Sequence, residues 1–190
     1  EKFVYVFGSS RTEGAAAMKN LLGGKGANLA EMCRLGITVP SGFTISTEAC
    51  TAFTEQGREA VFELIQAEVL AGVKFLETEM GKTFGDASDP LLLSVRSGAR
   101  ASMPGMMDTV LNLGLNDRTV QGIIAQSGDP RFAYDAYRRF VQMYSDVVMG
   151  LHKEELDHIM EQMKEQKGVH LDTELTADDL KQLVTLFKHK

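Results

Sequence analysis

The sequence predicts a mixed α/β fold over residues 1–115, joined to a small all-helical unit over residues 116–190. Three observations predict it. Short apolar runs of strand length occur only before residue 116. Between them lie longer stretches with apolar residues at i, i+3 and i+4, the spacing of amphipathic helices. Beyond Asn116 only the helical spacing remains.

Lys2–Phe7 reads as the first strand, and Gly8-Ser9-Ser10 ends it. Gly23-Gly24-Lys25-Gly26 opens a helix whose Leu29, Met32 and Cys33 share one face. Gly36 suits the residue just past that helix, where a left-handed backbone is needed. After the Pro40-Ser41-Gly42 turn, Phe43–Ser46 is a second strand. Helices follow over about 47–56 and 58–81. In the longer one Ile65, Val69, Val73, Leu76 and Met80 form an apolar stripe. Leu91-Leu92-Leu93 begins a strand over 91–96 that reads as buried. In the second part Asp129-Pro130 makes an N-cap and first-turn pair. Its helix carries Tyr137, Phe140, Val141 and Tyr144 on one face. Leu156, Ile159, Met160 and Met163 repeat the spacing before Gly168. Thr176 begins a Thr-x-x-Asp cap, and Leu180, Leu183, Val184 and Phe187 supply the last stripe.

Composition narrows the function classes. The 190 residues are 44% apolar and 24% charged, enough for a real core in a water-exposed protein. A net charge of −6 argues against a nucleic-acid binder, which would show a basic face. No apolar run approaches the roughly 18 residues of a membrane helix, and these residues show no signal-peptide pattern. Cys33 and Cys50 lie in helical segments without CxxC or zinc spacing, so free, buried thiols in a reducing compartment are expected. The start at Glu1 and the end within or just after a helix suggest a piece of a longer chain.

The run Ser94–Asp108 holds Arg96, Arg100, two further hydroxyls at Ser97 and Ser102, and glycines at 98 and 105. Guanidinium forks and close-approaching backbone N–H groups at a strand end are the parts of an anion site; a structural turn with solvated arginines is the alternative. Lys25 among glycines at a helix start also suits phosphate. It is not a Walker A loop, because Lys19 and Gly26 stand where Gly and Ser/Thr are required. It is not the dinucleotide fingerprint either, because Leu29 occupies the third Gly position. In Tyr137-Arg138-Arg139-Phe140 at most one arginine can face inward with the aromatics, leaving the other solvated or paired with an acid; two surface arginines is the reading the residues alone favour. His152, His158, His170 and His189 read as solvated helix residues. Glu154-Glu155 and Asp178-Asp179 read as first-turn charges. Neither a metal-binding carboxylate pair nor a nucleophile–base pair is evident.

Four segments in order carry a family resemblance: Leu21–Met32, Val39-Pro40 through Thr47–Cys50, Ser94–Thr109 and Phe132–Phe140. Together they resemble the N-terminal nucleotide-binding region of the pyruvate, phosphate dikinase family. The match runs in order through roughly residues 3–150, and its Met-Pro-Gly-Met-Met loop is very specific. Phosphoenolpyruvate synthases share the Val-Arg-Ser core but continue differently. The resemblance implies a partial ATP-grasp fold with an attached small helical subdomain. It implies an enzyme, a phosphotransferase that interconverts ATP, phosphate and pyruvate with AMP, pyrophosphate and phosphoenolpyruvate through a phosphohistidine. By motif position Lys25 and Arg96 match cations that bind the ATP phosphates and act in catalysis. Gly105 and Met107 match the loop that closes over the terminal phosphates, and Arg139 matches a further nucleotide-site arginine. ATP is the implied ligand, with Mg²⁺ held by ligands outside this chain. Implied partners are ATP or AMP, phosphate or pyrophosphate, and the phosphohistidine domain of the same full-length chain. Nucleic acid and membrane are not expected partners, and the full enzyme is expected to be a homo-oligomer, soluble and intracellular. The second ATP-grasp half, phosphohistidine domain and pyruvate-binding barrel are absent, so the piece alone is expected to be inactive. A related dikinase of the synthase or glucan type, or a non-catalytic nucleotide-binding module, is the alternative.

Overall fold

The computed structural model describes residues 2–98 and 108–190. Its described residues form mixed helices and short strands in two compact units. The first runs to Lys82 and includes Ser97 and Gly98; the second comprises Thr83–Arg96 and Asp108–Lys190. The strands of residues 83–113 are therefore grouped with the helices after them. The physical reason is that Leu115 sits in the helical core and Leu92 packs against it.

In the first unit β1 (Val4–Phe7) pairs antiparallel with β2 (Gly42–Ile45), Val4 opposite Ile45 and Phe7 opposite Gly42. The Glu68 carboxylate accepts from the N–H groups of Phe3 and Val4 at 2.9 and 2.8 Å, satisfying backbone at the start of β1. Three helices join this pair: α1 (Lys19–Arg34), α2 (Thr47–Gln56) and α3 (Arg58–Met80). Helix α1 closes on a Schellman turn, as Gly36 foretold. Gly36 has φ of 75° and donates to the Cys33 carbonyl, while Ile37 donates to that of Met32.

The buried faces differ from the expected stripes. On α1 the buried residues are Leu22, Gly23, Gly26, Ala27 and Ala30, whereas Leu29, Met32 and Cys33 are only half-buried. On α3 the buried residues are Val61, Gly72 and Leu76; Ile65, Val69 and Val73 are half-buried and Met80 is exposed. Small residues make the closest approaches here. A Cβ on Gly72 would lie 2.8 Å from the Phe43 ring, so the glycine lets that ring press against the helix. The thiols also depart from expectation. Both are free, but Cys33 is half-buried and Cys50 exposed, because the inward face of α2 is taken by Ala49 and Ala52.

The end of α3 is held by a carboxylate clasp. Glu79 accepts from the backbone N–H and hydroxyl of both Ser9 and Ser10, and from the Ser41 hydroxyl at 2.9 Å. These donors, the Ser10 hydroxyl foremost, hold its carboxyl down at about 2.

The second unit begins with β3 (Thr83–Phe84) parallel to β4 (Pro90–Leu91). Then β5 (Leu93–Arg96) pairs antiparallel with β6 (Thr109–Leu113), with an irregularity between Leu93 and Val95. The expected buried strand is buried only at Leu91; Leu92 and Leu93 are half-buried, and Ser94–Arg96 are exposed. The reason is that β5 belongs to a two-stranded ribbon among the described residues, not to the interior of a broad sheet. Strand β6 has no counterpart in the sequence reading. Its Asn112 has φ of 60°, a left-handed conformation that asparagine tolerates best after glycine.

Helices α4 (Thr119–Ser127), α5 (Pro130–Val147), α6 (Lys153–Lys167) and α7 (Ala177–Lys188) enclose the main core. Tyr134 and Tyr137 of α5 meet Leu156, Met160 and Met163 of α6 and Leu180, Leu183, Val184 and Phe187 of α7. The expected caps are present. Asp129 accepts from the N–H of Phe132 at 2.9 Å. Thr176 and Asp179 form a reciprocal capping box. Asp179 is itself buried and pairs with Lys167 at 2.7 Å; that contact first, then Thr176, lowers its carboxyl to about 2. None of the helices among the described residues is long and apolar enough to cross a membrane.

Candidate functional site

Lys25 owes its place to the glycines around it. Gly23 has φ of 70° and ψ of 170°, outside the range of residues with a side chain, and it breaks α1. A fresh helical segment starts at Gly24. Gly26, one residue past Lys25, is buried: a Cβ there would lie 2.7 Å from the Thr44 hydroxyl of β2. With Gly26 turned inward, Lys25 points outward, exposed, in the first turn after the break. It makes no ion pair among the described residues. An ammonium beside the positive end of a helical segment suits an anion.

Arg96 is the last residue of β5, exposed and opposite Thr109 of β6. It too makes no ion pair among the described residues. Gly105 and Met107, expected to close over phosphates, lie outside the described residues.

Arg138 and Arg139 divide between core and surface, a division that helix geometry allows and that the expectation of two surface arginines did not include. Arg138 is 4% exposed and turned into the core, whereas the side chain of Arg139 is 64% exposed. The acid between them is Asp135, three and four positions earlier on α5. One of its oxygens takes the Arg138 Nη2 at 2.5 Å, and the other takes the Arg139 Nε at 3.0 Å. Arg138 also donates to Gln142 at 3.3 Å, and Gln142 donates to Asp157 of α6 at 2.6 Å. The buried Nε of Arg138 has no hydrogen-bond partner among the described residues. Asp172, 4.0 Å from the Arg138 fork, takes Lys164 at 3.1 Å.

A groove of about 660 Å³ opens on this face of the second unit. Leu111, Leu115, Ile123 and Phe132 form its apolar walls, and Asn112, Gln126, Asp135 and Arg139 supply its polar groups. Arg139 thus shares a groove with β6, the strand to which Arg96 is paired. Lys25 belongs to the first unit. The sequence reading missed Asp135 and Gln142; the i, i+3, i+4 spacing of Asp135 with the two arginines was the signal that could have found the first.

The arrangement offers exposed cations and a groove of mixed polarity. Among the described residues no group of three or more carboxylate, imidazole or thiol side chains could hold a metal ion. The four histidines are exposed. The groove of the second unit presents the Arg139 guanidinium, the Asp135 carboxylate and the Asn112 and Gln126 amides, a set of groups suited to a polar ligand.

Comparison with known proteins adds the relationship. Residues 19–74 match the family model described as pyruvate phosphate dikinase, AMP/ATP-binding domain. The chain is 59% identical over 187 residues to a pyruvate, phosphate dikinase of Clostridium symbiosum, covering 98% of this chain and 21% of that protein. It is 56% identical over 188 residues to the chloroplastic enzyme of that name from Mesembryanthemum crystallinum, covering 99% and 20%. It is 52% identical over 187 residues to the one from Rhizobium meliloti, covering 98% and 21%. The chain spans about a fifth of the length of these curated relatives.

Proposed function

We propose that this chain, nearly all of which is similar to a stretch of about a fifth of the length of pyruvate, phosphate dikinases, forms the ATP-binding part of such an enzyme. The observation that carries the proposal is identity above 50% across 98% or more of the chain, the Lys25, Arg96 and Arg139 segments included. The reaction is the interconversion of ATP, phosphate and pyruvate with AMP, pyrophosphate and phosphoenolpyruvate. A phosphohistidine on another domain of the full-length chain takes the phosphoryl group. The fold is the first part of an ATP-grasp domain, with residues 116–190 as its helical subdomain.

In this reading the chain works by positioning and by electrostatic stabilisation, the main resources of phosphoryl transfer. Lys25 and Arg96 hold the β- and γ-phosphates and stabilise charge as they separate. Gly105 and Met107 belong to the loop that closes over them, and Arg139 is a further nucleotide-site arginine. Mg²⁺ would neutralise phosphate charge when bound, with ligands from beyond this stretch. The exposed cations fit the phosphates, and the described residues offer no set of metal donors. Alone, the chain is inactive; the full enzyme works as a homo-oligomer.

Arg96→Ala tests the proposal in the full-length enzyme. Loss of one such donor costs roughly 100- to 1,000-fold in rate. Single-turnover phosphorylation of the enzyme from ATP is expected to slow by that much, while phosphoryl exchange with pyruvate stays near the parental rate. A normal ATP half-reaction in that variant would overturn the role of Arg96.

A further inference from the structure

We propose that Asp135 is the positioning residue that aims Arg139 at the terminal phosphates of a bound nucleotide; this rests on the reading of Arg139 as a nucleotide-site arginine. The carboxylate is anchored from the buried side. Arg138, with a side chain 5% exposed, grips one oxygen at 2.5 Å and is itself held by Gln142, which reaches Asp157 of the next helix. The second oxygen is thereby presented to the groove, where it takes the Nε of Arg139 at 3.0 Å.

A guanidinium held through Nε keeps its two terminal nitrogens together at the far edge. That edge is the one that meets an oxyanion with two parallel hydrogen bonds. Arg139 has no second ion pair among the described residues, and its side chain is 64% exposed. The buried pair therefore acts through Asp135 as a bracket. It restrains a long, otherwise freely rotating side chain and leaves its ligand-binding edge open. Binding that must first order such a side chain is weaker by the cost of ordering it.

Bare electrostatics predicts the opposite sign. Asp135 places a negative charge beside Arg139, so removing that charge would strengthen attraction for a polyphosphate. A bracket predicts weaker binding on its loss.

The test uses the full-length enzyme and titrates ATP and adenosine separately. The variants are Asp135→Asn, Arg139→Ala and the two combined. Asparagine keeps a carbonyl oxygen as a hydrogen-bond acceptor for buried Arg138, which Asp135→Ala would remove together with the charge, and Asp172 stays 4.0 Å from Arg138 in either variant. Arg139→Ala is expected to weaken ATP binding by roughly 10-fold or more and leave adenosine binding at its parental level. Asp135→Asn is expected to weaken ATP by roughly 3- to 10-fold, leave adenosine unchanged, and have no further effect once Arg139 is alanine. Equal losses for ATP and adenosine, or the same loss with Arg139 already removed, would mean a structural role and overturn the proposal. Tighter ATP binding in Asp135→Asn would overturn it in favour of bare charge. Parental ATP affinity in Arg139→Ala would overturn the reading of Arg139 itself, and the proposal with it.

Discussion

At the scale of single residues, two neighbouring glycines make the sharpest contrast. A Cβ on Gly26 would stand 2.7 and 2.8 Å from the Thr44 side chain, and one on Gly24 would meet nothing within 4 Å. Gly26→Ala is expected to destabilise the first unit by about 1–3 kcal/mol through overpacking. Gly24→Ala should be neutral or stabilising by up to about 1 kcal/mol, because it restricts the unfolded chain. Urea unfolding of the two variants checks the pair. Asp179 carries a pH signature. Its carboxyl is ordinarily near 3.8 and stands at about 2 in the fold. Its contribution is therefore fully present above about pH 4 and is lost as pH falls through about 2. Asp179→Ala should cost about 1–2 kcal/mol at pH 7, as lost caps do. In thermal melts that gap from the parent should close between pH 4 and 2. Arg138 shows the limit of reading residues in sequence. Spacing allows at most one arginine of the pair to turn inward; only the packing of α5 against the core shows that one does, and that it is Arg138.

At the scale of elements, the ends were more legible than the faces. The bounds of α2 and α3 follow the sequence reading to within a residue, and the caps at Gly36, Asp129 and Thr176 stand where their local chemistry puts them. Capping depends on a few adjacent residues, so it can be read without the tertiary fold. The inward faces of α1 and α3 cannot, because Gly26, Ala27, Ala30 and Gly72 are chosen by close approach, and a search for large apolar side chains passes over them. Strand β6 escaped because its residues do not alternate: Val110 and Leu111 are adjacent apolar residues, and Asn112 is a poor strand former. The stripe of α7 was readable because Leu180, Leu183, Val184 and Phe187 are all large and all buried. Phe187, 1% exposed in that stripe, carries much of the helix. Phe187→Ala is expected to destabilise the second unit by about 3–5 kcal/mol, measured by denaturant titration.

At the scale of the whole molecule, two separate cores account for the described fold. One gathers Val4, Val6, Ala27, Val61 and Leu76; the other joins α5, α6 and α7. Hydrogen exchange on Phe187→Ala should locate the same loss. Protection should fall across α5, α6 and α7 while β1 and the middle of α3 keep theirs. Uniform loss throughout the chain would mean that the cores unfold as one. Lys25 belongs to the first unit and Arg96 and Arg139 to the second. These cations were legible one at a time, from glycine spacing and motif order. The buried support behind Arg139 became visible only with the fold.

The clasp on Glu79 also has a mechanical side. It lies three residues before Lys82, where the chain leaves the first unit. A helix end usually frays first when it is pulled. Here a tug arriving through residues 83 and beyond would load a carboxylate tethered to the loop after β1 and to Ser41, so the tension would spread into the sheet before the last turn of α3 could peel away.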